Sequence, residues 1–158
     1  MKHFIQALKV VVFCIFCGFM AFSFSGPKDS AKEFSVVVDE TLVNIDTSNL
    51  EPKDNIQMKR FLSLDPEPYE AITYYKNIDT MQADEIVIVK FRSNDQKNMF
   101  RQTIEKHIED QENIFAGYAP EEEKKLENSI LNIHANYALF VVSPNASEIN
   151  KQFVTSLE

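Results

Sequence analysis

Hydrophobic positions along this chain alternate between helical and strand spacing, and the alternation lays out most of a domain. From Ala31 the apolar residues Phe34, Val37, Val38, Leu42 and Ile45, with Thr41 on the same stripe, recur at helical intervals. That longer period outweighs the strand propensity of three consecutive valines. It predicts a helix to Ile45, stopped by Asp46, Thr47, Ser48 and Asn49, and then a shorter helix over Asp54–Leu62. Asp65-Pro66-Glu67-Pro68 ends it, because each proline pushes its predecessor out of the helical region. Ala71–Lys76 and Glu85–Phe91 are rich in β-branched and aromatic residues and predict strands, joined by the polar loop Asn77–Asp84.

The second half repeats the order. Ser93 with Gln96 predicts a capping box for a long helix whose stripe is Met99, Phe100, Thr103, Ile104, Ile108, Gln111 and Phe115, ended by Gly117. Pro120 followed by Glu121, Glu122 and Glu123 suits the first turn of a short helix. Ser129–Ala135 and Tyr137–Ser143 predict a hairpin around Ala135-Asn136. Asn145 and Glu148 predict the cap of a last helix carrying Ile149, Phe153 and Leu157. The expected fold class is α+β: a four-stranded antiparallel sheet in ββα-ββα order, with helices packed mainly on one face.

Ahead of this domain, Lys2 and Lys9 precede Val10–Phe24, fifteen residues without a charge, and Ser23, Ser25, Gly26 and Pro27 follow. Basic, then apolar, then small and polar is the layout of an export signal or single-pass anchor. The expected organisation is residues 1–25 as signal or anchor, 26–30 as connector and 31–158 as one globular domain. Cleavage sites after Ser23 or Ser25 are weak, which favours retention as an anchor. The expected location is therefore extracytoplasmic, at the cell membrane or secreted after cleavage. Cys14 and Cys17 lie inside the apolar run and read as small hydrophobes there. No cysteine follows them, so the domain folds without disulfides.

Ala83-Asp84-Glu85-Ile86 opens a strand, a long helix leads to Gln111, Phe115, Tyr118 and Pro120, Leu126-Glu127-Asn128 follows, and the Asn136-Tyr137 hairpin ends in Val142-Ser143. In these stretches, and more weakly in Leu64-Asp65-Pro66, the chain resembles the bacterial domain of unknown function 4358 family. The resemblance implies a small, exported, tethered protein, and it implies no activity. Members are often lipoproteins, whereas Phe13 and Phe16 occupy the positions before Cys14 and Cys17 where a small residue is needed. Ala135 stands where the family's hairpin usually has glycine, at a position favouring positive φ.

Charge narrows the function classes. Setting aside the first 25 residues leaves 14 basic against 24 acidic residues, a balance that repels phosphate backbones and argues against nucleic acid. Glycine occurs three times, too sparsely for a phosphate-cradling loop, so no nucleotide or other cofactor is expected. His107 pairs with Asp110 or Gln111 only once on its helix, and a ring packed on the core is the simpler reading, so no metal site is expected. Asp84-Glu85 reads as a loop end. Lys90 interrupts an apolar strand face and marks the sheet rim, while Asn132 and His134 share an outward strand face. With Tyr118, these are the candidate partner-binding residues: Lys90, Asn132, His134 and Tyr118. The expected function is a non-enzymatic, envelope-facing interaction module with a possible envelope protein partner. The alternatives are a small hydrolase whose site assembles only in the fold, and an accessory subunit of a membrane complex.

Overall fold

The computed structural model describes Lys9, residues 11–18 and residues 28–158. Residues 11–18 are helical and exposed, and among the described residues no helix is long and apolar enough to cross a membrane. The rest of the expected anchor, with its cleavage sites, lies outside the described residues.

In the domain, strands β1 (Leu50–Pro52), β2 (Ala71–Asn77), β3 (Glu85–Lys90), β4 (Ile130–His134) and β5 (Tyr137–Val142) form one sheet in the order β1-β2-β3-β5-β4. All neighbours are antiparallel. The sheet therefore has five strands rather than four. The extra one is a three-residue edge strand ending in Pro52 opposite Tyr75. Proline lacks the ladder N–H, so it is tolerated on an edge, and it hides so short a strand from pattern reading.

Five helices complete the domain: α1 (Phe34–Thr41), α2 (Asn55–Leu62), α3 (Asp95–Phe115), α4 (Pro120–Glu127) and α5 (Ala146–Ser156). They cover both faces of the sheet, not mainly one. On one side Val87, Val89, Phe140 and Val142 pack beneath Met58 and Leu62 of α2, Phe100 and Ile104 of α3 and Leu126 of α4. On the other, Ile86, Ile88, Leu139 and Val141 pack beneath Val37 and Val38 of α1 and Ile149 and Phe153 of α5. The physical reason is legible in the two central strands: Ile86–Val89 and Tyr137–Val142 are apolar at successive positions, and every one of these residues is buried. A sheet wet on one face would alternate instead.

The helix ends are only partly as the motifs imply. Asp54 and Gln57 form a reciprocal capping box on α2. The Gln96 side chain reaches back to the Arg92 and Ser93 N–H groups, at 2.8 and 3.4 Å, but no side chain caps α3 in return. Asn145 makes no side-chain cap on α5. On α3 the expected stripe shifts: Met99 is 66% exposed, and His107 takes a buried position. Ala135 adopts φ 53° in the two-residue β4–β5 turn, the conformation expected at that position.

Candidate functional site

The domain's most concentrated buried chemistry centres on Glu85, the first residue of β3. Side chains alternate along a strand, so Glu85 shares the face of Val87 and Val89, beneath α3. Register places Tyr74 and Lys76 beside it on β2, on the same face. The carboxylate is fully buried and uses both oxygens. Oε1 meets His107 Nε2 at 2.6 Å, while Oε2 accepts from the Tyr74 hydroxyl at 2.8 Å and lies 3.5 Å from Lys76 Nζ. Burial alone would raise the Glu85 carboxyl, but the His107 bond and charge, then Lys76 and Tyr74, outweigh it and hold the group below the ordinary carboxylate value. The same burial, then the Glu85 charge, pushes the Tyr74 hydroxyl well up. Glu85 is thus a strand residue in the core rather than a loop end.

His107 sits between this network and solvent. Its ring is edge-on to Phe140 at 6.0 Å, and it forms part of the wall of a cleft of about 500 Å³ between the end of α2 and the middle of α3. Arg60, Ser63, Thr103, Lys106 and Asp110 line the same cleft. Ser63 carries φ 54° as the residue closing α2. The Thr103 hydroxyl donates to Met99 O, one turn back on its own helix, and Lys106 is held by Asp110 and Glu109. Among the described residues no hydroxyl bonds His107. Nor do three or more His, Cys, Asp and Glu side chains cluster to hold a metal.

A second polar network lies beside the first. Glu122 of α4 is buried, and its Oε2 accepts the Ala83 N–H at 2.8 Å and Lys125 Nζ at 2.9 Å. Lys125 also reaches Asp84 at 2.8 Å and Gln82 at 3.1 Å. Burial pulls the Lys125 ammonium down, but Asp84 and Glu122 more than offset it, so the net shift is upward.

The residues expected to bind a partner do not form one surface. Lys90, Asn132 and His134 share a sheet face, as expected, but α1 and α5 cover that face and all three are half-buried. Lys90 pairs with Glu70 at 2.9 Å and lies over the Tyr137 ring at 5.6 Å. Asn132 donates to Asn150 of α5 at 2.7 Å. The expectation of an exposed face fails because α5 packs where open solvent was anticipated. Tyr118 alone of the four is exposed, stacked on Phe115 at 5.9 Å between ring centroids, with Ile114 exposed nearby on α3.

The connector is fastened at the opposite end of β3 from Glu85. Asn136 in the β4–β5 turn accepts from Ser30 N at 2.8 Å and donates to Ser30 O at 3.2 Å. The Tyr137 hydroxyl and Lys90 Nζ both donate to Lys32 O, at 2.9 and 3.4 Å. A larger concavity, about 810 Å³, lies between α1 and α5 near Val43 and Gln152. It holds no buried ionisable group, so the Glu85–His107 region is the stronger chemical candidate.

Residues 43–143 match the family described as Domain of unknown function (DUF4358). No curated protein and no solved structure matches the chain.

Proposed function

The chain belongs to the DUF4358 family, and from that premise we propose that it is a non-enzymatic binding domain, held outside the cytoplasm by its N-terminal apolar segment. The observation that carries this reading is the fastening of Ser30 and Lys32 to Asn136, Tyr137 and Lys90. A connector bonded to the sheet through both its N–H and C=O groups couples the preceding segment mechanically to the domain. That supports a tether with a fixed exit point. For the partner contact, the exposed Tyr118 and Ile114 supply aromatic and aliphatic area at the end of α3.

The test is the intact mass of the mature chain from native membranes and from medium, followed by photo-crosslinking from position 118. A membrane-held chain that starts near Met1 and yields a discrete adduct supports the reading. A chain starting at Phe24 or Gly26 in the medium refutes the tether.

One observation favours a second reading, a small hydrolase. His107 lines a cleft with Glu85 behind it at 2.6 Å and Asp110 on the wall, and a carboxylate orienting a histidine is the arrangement of a general base. In that reading the base activates water, because no hydroxyl is bonded to the ring among the described residues. Turnover of ester or amide substrates that His107→Gln abolishes, with folding intact, would establish it over the binding module.

A further inference from the structure

The sheet has two edges, β1 and β4, and they differ in the hydrogen-bonding groups they leave free. Strand residues turn their N–H and C=O to one side and the other in alternation. In β1, Lys53 N–H donates to Tyr74 O and Asn49 O accepts from Ile78, so Glu51 faces β2 with them while Leu50 and Pro52 face away. The Leu50 N–H is taken by Thr47 O at 2.9 Å, and Pro52 has none. The β1 edge therefore offers no free donor.

In β4 the opposite holds. Phe91 N–H donates to Asn136 O, so Asn136, Ala138, Phe140 and Val142 bond β3, while Tyr137, Leu139 and Val141 bond β4. Their partners His134, Asn132 and Ile130 thus face inward. Leu131 and Ile133 face outward, and among the described residues their N–H and C=O groups bond nothing. Edge strands are ordinarily blunted by brevity, proline, charge or a bulge. β4 runs five residues in unbroken register with β5, and Asn128–Ser147 holds no Asp, Glu, Lys or Arg. Its side chains are held on both faces: Leu131 and Ile133 pack on the side of α2, α3 and α4, Ile130 packs on the other, and Asn132 bonds Asn150. A strand ordered in advance loses little entropy on gaining a neighbour.

We propose that β4 is the interface for a second copy of this chain, paired antiparallel about a two-fold axis at Asn132 to make one continuous sheet. In that register Leu131 lies opposite Ile133 of the second copy and Ile133 opposite its Leu131. Every outward group of both strands is used, in four main-chain bonds. Leu131 and Ile133 meet across one face, and the two Asn132 side chains meet across the other. The complement this edge requires is an uncharged strand with donors and acceptors free at alternate positions, and β4 itself is that strand. Over most of the surface copies repel, since 24 acids face 14 bases beyond residue 25. Along paired β4 strands no like charges are brought together, because the strand carries no Asp, Glu, Lys or Arg. The donorless β1 edge cannot complete a ladder with β4, so pairing closes at two copies and does not run on as a fibre. The inference does not depend on the tether.

The experiment uses the full chain in detergent micelles, with reductant present so that Cys14 and Cys17 cannot link copies. Sedimentation over roughly 1–100 µM, the range of a modest strand-pairing interface, should show a monomer passing to a dimer. Amide exchange at Leu131 and Ile133 should slow about tenfold as the dimer fills. Ile133→Pro removes two of the four bonds at a position where an edge strand tolerates proline, and should weaken the dimer about 30-fold. Asn132→Lys and Asn132→Glu keep every backbone group but set like charges face to face on the axis, each weakening the dimer about fivefold. Mixed together, these two variants should pair with one another about 25-fold more tightly than either does with itself. Circular dichroism checks that each variant is folded. A wild-type chain that stays monomeric, with both amides exchanging at one rate throughout, overturns the proposal and leaves the edge to an extended strand of another protein. A dimer that survives Ile133→Pro and shows no preference in the Lys/Glu mixture also overturns it, and places the contact elsewhere on the chain.

Discussion

Glu85 offers the most informative single perturbation, because three partners converge on a carboxylate with no exposure to solvent. Glu85→Ala leaves the Tyr74 hydroxyl and the His107 ring nitrogen without an acceptor or counter-charge in the core, and opens a cavity beneath α3. Removing one member of a buried charged pair costs about 3–5 kcal/mol. With a urea m-value of about 2 kcal/mol per M, the unfolding midpoint falls by about 2 M. Glu85→Gln keeps one oxygen acceptor and the side-chain volume, and should lose about 1–3 kcal/mol through one mismatched partner.

The two variants differ from wild type in pH response as well. The Glu85 carboxyl is held below its ordinary value of 4.5 in the folded chain, so between the folded and unfolded values the unfolded chain binds more protons, and stability rises with pH. The contribution is fully present above the unfolded value and is lost as pH falls through the folded one. Urea unfolding followed by far-UV circular dichroism at pH 7 and at stepped acid pH measures both effects. Wild type should lose stability on acidification more steeply than Glu85→Gln. A Glu85→Ala midpoint within about 0.5 M of wild type, or equal acid slopes for wild type and Glu85→Gln, would refute the reasoning that this network stabilises the core.

Other substitutions probe the remaining structural claims. Glu122→Ala deprives the Ala83 N–H of its acceptor and should cost about 1–3 kcal/mol by denaturant titration, the penalty of an orphaned buried donor. Ala135→Val places a β-branched side chain at φ 53° and should destabilise by more than about 1 kcal/mol. Ala135→Gly should stay within about 0.5 kcal/mol of wild type, because relief of roughly 1 kcal/mol of backbone strain is offset by roughly 0.8 kcal/mol of lost methyl burial. Asn136→Ala removes both bonds to Ser30. Limited trypsin digestion at Lys28 and Lys32 should speed up about fivefold, on roughly 1 kcal/mol for the lost bonds, with the global urea midpoint nearly unchanged.

Periodicity carried the element order well and the layering poorly. The two hairpins and the helices after them are visible because their runs are long and bounded by strong breakers, from Asp65-Pro66 to Gly117 and Pro120. The layering depended on one question: whether the face bearing Ile86 and Ile88 is wet. Lys90 at its end suggested a rim, and the outward polar positions Asn132 and His134 agreed with that. Yet Lys90 spends its charge on Glu70 and the Tyr137 ring, and Asn132 bonds Asn150, so both fit beneath helices. The unbroken apolar run from Ile86 to Val89 was the better guide, since a strand needs two apolar faces only when both are covered. The Glu85–His107 pair had a fainter signal. Its members lie 22 positions apart, and only strand parity, which puts Glu85 on the Val87 face with Tyr74 and Lys76 beside it, pointed to a charge that must find partners inside.

Ala83-Asp84-Glu85, the stretch that carries much of the family resemblance, spends all its polar capacity on holding elements together. The Ala83 N–H goes to Glu122 and the Asp84 carboxylate to Lys125, both on α4, while Glu85 takes His107 of α3 and Tyr74 and Lys76 of β2. Three consecutive residues thus dock two helices onto the start of one strand. A motif so occupied is accounted for by the fold, and needs no ligand to explain it. It follows that recognition should be sought where polar or aromatic groups are left without protein partners. Tyr118, exposed and with no hydrogen bond to its hydroxyl among the described residues, offers such a place at the end of α3. The α3 axis, 21 residues or about 31 Å long, separates Tyr118 from the end of the sheet to which Ser30 and Lys32 are fastened.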